Sequence, residues 1–70
     1  MKILLIDDHK LIKIGIKVLL EDNKDVDVID DCSSKKEFLE KIDNESYDLF
    51  ICDISLPDGS GYDILEIIKE

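Results

Sequence analysis

The chain has 70 residues, with 18 acidic against 9 basic for a formal net charge of −9; 44% of it is hydrophobic and 39% charged. That is one small globular domain, of a size that buries only about 60% of its unfolded surface, and too rich in apolar residues to be disordered. The excess acid argues against nucleic acid or an anionic membrane as a direct partner.

Lys2-Ile3-Leu4-Leu5-Ile6-Asp7-Asp8 is an apolar run that closes on acid, and residues 2–7 are expected to form the first strand. Four apolar residues are too few for a signal peptide, which needs roughly 7–15, or for a membrane-spanning helix, which needs roughly 18 or more. The expected address is therefore the cytoplasm.

Residues 10–22 switch to helical spacing. Leu11, Ile12, Ile14, Ile16, Val18, Leu19 and Leu20 cover about 240° of the helical wheel, leaving Lys10, Lys13, Lys17 and Glu21 for the solvent face. The arc is wider than packing on one sheet requires, which would leave Ile16 and Leu20 at its outer side. Asn23 is a stop signal. Val26-Asp27-Val28-Ile29-Asp30 partly alternates and suits an edge strand. Ser34-Lys35-Lys36-Glu37 has the form of a capping box, opening a helix to about residue 44 with Phe38, Leu39 and Ile42 inward.

Leu49-Phe50-Ile51-Cys52 reads as a strand buried on both faces, and it runs directly into Asp53. Pro57, Gly59 and Gly61 then break regular structure. Tyr62, Ile64, Leu65, Ile67 and Ile68 give a last helix running to the terminus. Cys32 and Cys52 lack ligand spacing and read as small core hydrophobes.

The pattern βαβαβα calls for a parallel sheet with right-handed crossovers. A strand order of 2-1-3 brings Asp7, Asp8 and Asp53 together in the crevice where strand order reverses, with the first helix on one face and the other two opposite. Three carboxylates at one point repel, and a hard cation relieves them; oxygen donors with room for water suit Mg²⁺. So shielded, Asp53 can act as a carboxylate nucleophile toward a phosphoryl group. Other acid-centred functions fit less well. A haloacid-dehalogenase-type phosphatase needs a second Asp where Ser55 stands. An EF-hand starting at Asp53 fails on Leu56, Pro57 and Ile64. No Gly-rich loop follows the first strand for a cofactor.

Over all 70 residues the chain resembles the receiver domain of bacterial two-component response regulators, a flavodoxin-like fold, truncated to its first three βα units. Ile6-Asp7-Asp8-His9 is similar to that family's acidic pair, and Asp53-Ile54-Ser55-Leu56-Pro57-Asp58-Gly59-Ser60-Gly61 to its phosphoacceptor loop. The resemblance implies a signalling module rather than an enzyme, with Asp53 phosphorylated by a sensor histidine kinase. It also implies Asp8 and Asp53 as Mg²⁺ ligands, with the Ser55 backbone carbonyl as a third and Asp7 acting through metal-bound water. His9 is similar to the subfamily with a LuxR-type helix-turn-helix output; otherwise it is a residue at the start of a helix with no chemistry, and it is not a convincing metal ligand. The chain departs from the family in lacking the fourth and fifth units, and with them the Ser/Thr and Lys that contact the phosphoryl oxygens. Residues 1–70 are thus expected to be a partial receiver, either a piece of a longer regulator or a half-domain, with no DNA-binding segment. The competing function is an unphosphorylated protein-interaction module. The open edge of the third strand and the broad apolar arc of the first helix predict a homodimer or oligomer.

Overall fold

The computed structural model describes residues 1–69. Its centre is β1 (Lys2–Ile6), whose residues Ile3 to Ile6 are all fully buried. Along the chain follow α1 (Lys10–Leu20), β2 (Val28–Cys32), α2 (Lys35–Asn44), β3 (Leu49–Cys52), the two-residue strands β4 (Ser55–Leu56) and β5 (Gly59–Ser60), and α3 (Gly61–Lys69). The sheet has the order β2-β1-β3, all parallel, with Leu4 opposite Asp30 and Phe50, and Ile6 opposite Cys32 and Cys52. The expected flavodoxin-like topology is therefore present. No helix among the described residues is long and apolar enough to cross a membrane.

Strand alternation sorts the side chains onto two faces. On one, Leu4, Ile6 and Cys32 meet Phe38 from α2, Leu56 from β4 and Ile64 from α3, with Ile42, Tyr47, Phe50, Cys52 and Ile67 packed against them. Phe50 takes edge contacts from both Phe38 and Tyr47, ring centroids 6.0 Å apart in each pair. The Tyr47 hydroxyl donates to Asp30 at 2.7 Å, so the polar end of the ring is satisfied at the edge of the core.

On the other face α1 lies in an orientation its apolar arc did not suggest. Lys13 is only 6% exposed; its ammonium donates to Ser33 Oγ at 2.7 Å and lies 3.5 Å from Asp31. Lys17 pairs with the same Asp31 carboxylate. Ile16 and Leu20, expected at the outer side, are half-buried beside these lysines, whereas Leu11 and Leu19 are 83% and 81% exposed and Ile12, Ile14 and Val18 also face solvent. The reason is Asp31. An acid on the sheet face under α1 needs a cation, and rolling the helix to bring in Lys13 and Lys17 provides two.

Other boundaries shift for local reasons. The first strand ends at Ile6, not Asp7. Helix α1 stops at Leu20, and Asn23 closes the turn, its N–H on Leu20 O and its side chain accepting from Asp25 N. β2 begins two residues later than Val26, because residues 25–27 are occupied by the chain terminus: the Met1 ammonium donates to Asp25 O and Asp27, and Asp27 N donates to Met1 O. β3 is half-buried rather than enclosed on both faces, since it forms a sheet edge among the described residues and Leu49 is exposed. Cys32 is the fully buried thiol, pushed up to about 12 by desolvation, while Cys52 is half-buried. Leu39 faces outward rather than inward, and Tyr62, Leu65 and Ile68 of α3 are also exposed. Between the β3 edge and α3 this leaves a groove of about 480 Å³ lined mainly by Leu49, Phe50, Ile54, Tyr62, Leu65 and Ile68.

Candidate functional site

The carboxyl ends of β1 and β3 are held level by backbone bonds that continue beyond the strands. Asp53 N donates to Ile6 O at 2.8 Å, and Asp7 N donates to Cys32 O at 3.1 Å. Asp7, Asp8 and Asp53 therefore leave the sheet at one place, as strand order 2-1-3 requires. One ligand atom from each of Asp7, Asp8, His9 and Asp53 falls within 4.8 Å of the others. Asp7 is the most enclosed of these side chains, followed by Asp53 and Asp8, with His9 the most open.

His9 belongs to the cluster, which the sequence did not disclose. It is the N-cap residue of α1, but its side chain makes no capping bond. Instead the ring turns into the acids: Nδ1 lies 2.7 Å from Asp7 Oδ1, 3.1 Å from Asp8 Oδ1 and 3.5 Å from Asp53 Oδ2. The same Asp7 oxygen accepts from His9 N at 2.8 Å. The bond to Asp7, and then the charges of Asp8 and Asp7, hold the imidazole above its usual pKa. Among the described residues it is the only basic group ion-paired with these carboxylates, because Lys13 and Lys17 are turned to Asp31. A position next to an acid pair was the only sequence signal, and a side-chain torsion decides the rest.

Beyond Asp53 the chain forms a hairpin rather than an irregular loop. Ser55 pairs antiparallel with Ser60 and Leu56 with Gly59, across a turn made by Pro57 and Asp58. Leu56 anchors it in the core. Gly61 returns the chain beside Asp53: its N–H donates to Ile54 O at 2.7 Å, and a Cβ there would lie 2.6 Å from Asp53 O. No side chain other than hydrogen fits that approach. Ser55 opens β4 two residues beyond Asp53 and is exposed. Cys52 Sγ donates to Asp53 O at 3.1 Å, and burial followed by the Asp53 and Asp7 charges keeps that thiol protonated.

The helices that flank the hairpin are capped from it. Asp58 Oδ1 accepts from Lys35 N at 2.7 Å and Oδ2 from Lys36 N at 3.0 Å, while Ser34 Oγ accepts from Glu37 N at 3.2 Å. The anticipated box at Ser34 is thus half local. Two further N–H groups of the first turn, those of Lys35 and Lys36, are served by a carboxylate 23 and 22 residues away. Ser60 and Asp63 exchange bonds at the start of α3, Ser60 N to Asp63 Oδ2 at 3.2 Å and Asp63 N to Ser60 Oγ at 3.4 Å.

Chemically, the three carboxylates fit a small hard cation, and the His9 imidazole is their basic partner rather than a hard-ion donor. The carboxylates converge from two strands, and two of them remain partly open to water.

Comparison with known proteins agrees with this geometry. The sequence profile of the response regulator receiver domain matches residues 3–70. The sensory transduction protein LytR of Staphylococcus haemolyticus is 40% identical over 70 residues, covering all of this chain and 27% of LytR. The response regulator protein VraR of Staphylococcus saprophyticus is 33% identical over 99% of this chain and 33% of its own length. For the nitrate/nitrite response regulator protein NarL of Escherichia coli the identity is 31%, over 97% of this chain and 32% of NarL. The chain thus spans a third or less of these curated relatives. Among solved structures, the MaeR response regulator bound to beryllium trifluoride superposes with a TM-score of 0.92 at 25% identity, covering 99% of this chain and 57% of that one.

Proposed function

The chain belongs to the response regulator receiver family, and from that premise we propose that it is a phosphoacceptor module in which Asp53 takes a phosphoryl group from a sensor histidine kinase. The observation that carries this reading is the convergence of Asp7, Asp8 and Asp53 at the end of the central strands. A carboxylate oxygen of Asp53 attacks phosphorus, the bond to the donor breaks, and an aspartyl phosphate forms. Asp8, Asp53 and the Ser55 carbonyl would hold Mg²⁺, with Asp7 in support; the ion supplies charge neutralisation between acid and phosphoryl group. Asp7 meanwhile fixes His9 and the first turn of α1. The module signals rather than turning over substrate, and residues 1–70 are the first three βα units of a receiver. An unphosphorylated interaction module is the weaker reading, because it gives the acid cluster no task.

Mass spectrometry after incubation with a small phosphodonor and Mg²⁺ tests the proposal. We expect slow gain of one phosphoryl group in the natural chain and none in Asp53→Asn. Labelling that survives this substitution, or a chain that no donor or kinase modifies, overturns it.

The outward apolar side of α1 also supports self-association of this chain, since a second copy there regains apolar burial at about 25 cal/mol per Å².

A further inference from the structure

Stability alone does not require α2 to be capped from a distance. Ser34 already serves the third N–H of the helix, and a local side chain could serve the first two. Instead Lys35 N and Lys36 N both donate to Asp58, at the tip of the hairpin that follows Asp53. A carboxylate suits the place, since the helix dipole is positive there, and the two N–H groups, Lys35's foremost, lower its pKa. The hairpin also sits tightly against α2: a Cβ on Gly59 would come within 2.9 Å of Lys35 Cδ. Its base is equally fixed. Gly61 packs against the Asp53 carbonyl, with room for no Cβ, and Leu56 is held in the core. From the Asp53 backbone to the first turn of α2 there is thus a short, continuous route with little slack.

We propose that Asp58 is a positioning residue that couples the Asp53 loop to α2, so that a cation or phosphoryl group at the acid cluster is registered at Lys35 and Lys36. The proposal rests on the reading of that cluster as a metal-assisted phosphoacceptor site. Ligation draws the Asp53 carboxylate toward Asp8, the Asp53 carbonyl moves against Gly61, and the hairpin carries the shift to its tip. The coupling is reciprocal: a free hairpin also holds the site less well.

Titration of the full chain with Mg²⁺ alone, followed by amide chemical shifts, tests this. In the natural protein, residues 7, 8 and 53 should respond together with residues 35 and 36, with one shared affinity. In Asp58→Ala the response at 35 and 36 should vanish, and Mg²⁺ binding should weaken about fivefold, the low end of typical couplings. Asp58→Asn retains one acceptor and should fall between. A purely structural cap would lower the unfolding midpoint and leave the Mg²⁺ affinity of the folded chain unchanged, which would overturn the proposal. So would a natural chain that responds at 7, 8 and 53 but not at 35 and 36. No response at 7, 8 and 53 is a different failure: it removes the metal reading itself, and this inference with it.

Discussion

On one face of the sheet, Leu4, Ile6 and Cys32 close with Phe38, Leu56 and Ile64 into a core with no charged member. On the other, Ile3 and Leu5 lie beneath a helix that offers Lys13 and Lys17 as well as Ile16 and Leu20, and turns Leu11, Ile14, Val18 and Leu19 to water. Apolar area did not choose the orientation of α1. Lys13 and Lys17 both turn to Asp31 on the sheet, while five aliphatic side chains of the helix, Leu11, Ile12, Ile14, Val18 and Leu19, stay in water. The first face closes without charge, while the second leaves much of its helix's apolar surface in water.

The largest test of that contrast is Phe38→Ala. Emptying a fully buried site at the junction of α2 and the sheet should cost about 3–5 kcal/mol, a large fraction of the ~5–15 kcal/mol typical of a whole domain. Denaturant titration by circular dichroism would show it, and a loss below about 1 kcal/mol would remove the distinction between the faces. Ser34→Ala should be milder, about 1 kcal/mol, because Asp58 continues to serve the other two N–H groups of α2. A double change on the exposed side of α1, Leu11→Gln with Leu19→Gln, should alter monomer stability by no more than about 0.5 kcal/mol. It should nevertheless lower the apparent mass seen by light scattering across a concentration series; an unchanged mass would show that α1 is not where copies meet.

The smallest effect is in acid. The Lys17 hydrogen bond, outweighing desolvation, lowers Asp31 below its ordinary 3.8 in the folded chain. The unfolded chain therefore binds this proton first, and stability rises with pH in that window. The contribution is complete above about pH 3.8 and is lost as pH falls through the lower, folded value. Asp31→Asn should flatten that part of the acid limb and leave the rest of the pH curve unchanged.

Strand order and the meeting of Asp7, Asp8 and Asp53 were legible because both signals are local: an apolar run that ends on acid marks the carboxyl end of a buried strand. The features that were not legible depend on partners distant in the chain. The helical wheel of α1 contains Lys13 and Lys17 but not Asp31, so it assigned them to solvent. Val26 alternates as well as Val28, and only the Met1 ammonium on Asp25 and Asp27 moves the strand forward. Asp58 sits in a Pro-Asp-Gly turn, where an acid is ordinary, and nothing nearby in sequence announces the amides of Lys35 and Lys36. His9 is adjacent to its partners, yet whether its ring caps α1 or enters the acids is a rotamer choice.

The place of β1 between two later strands also dictates the order of events during synthesis. Lys2 bonds to Asp48, 46 residues further on, so one side of β1 stays open until β3 has been made. At about 5–20 residues per second that interval is roughly 2–9 seconds. Until then Ile3, Leu4, Leu5 and Ile6 lack their β3 partners, an apolar run flanked by Lys2 on one side and Asp7 and Asp8 on the other. The acids that gather at the finished site thus serve first as charged gatekeepers of the nascent polypeptide.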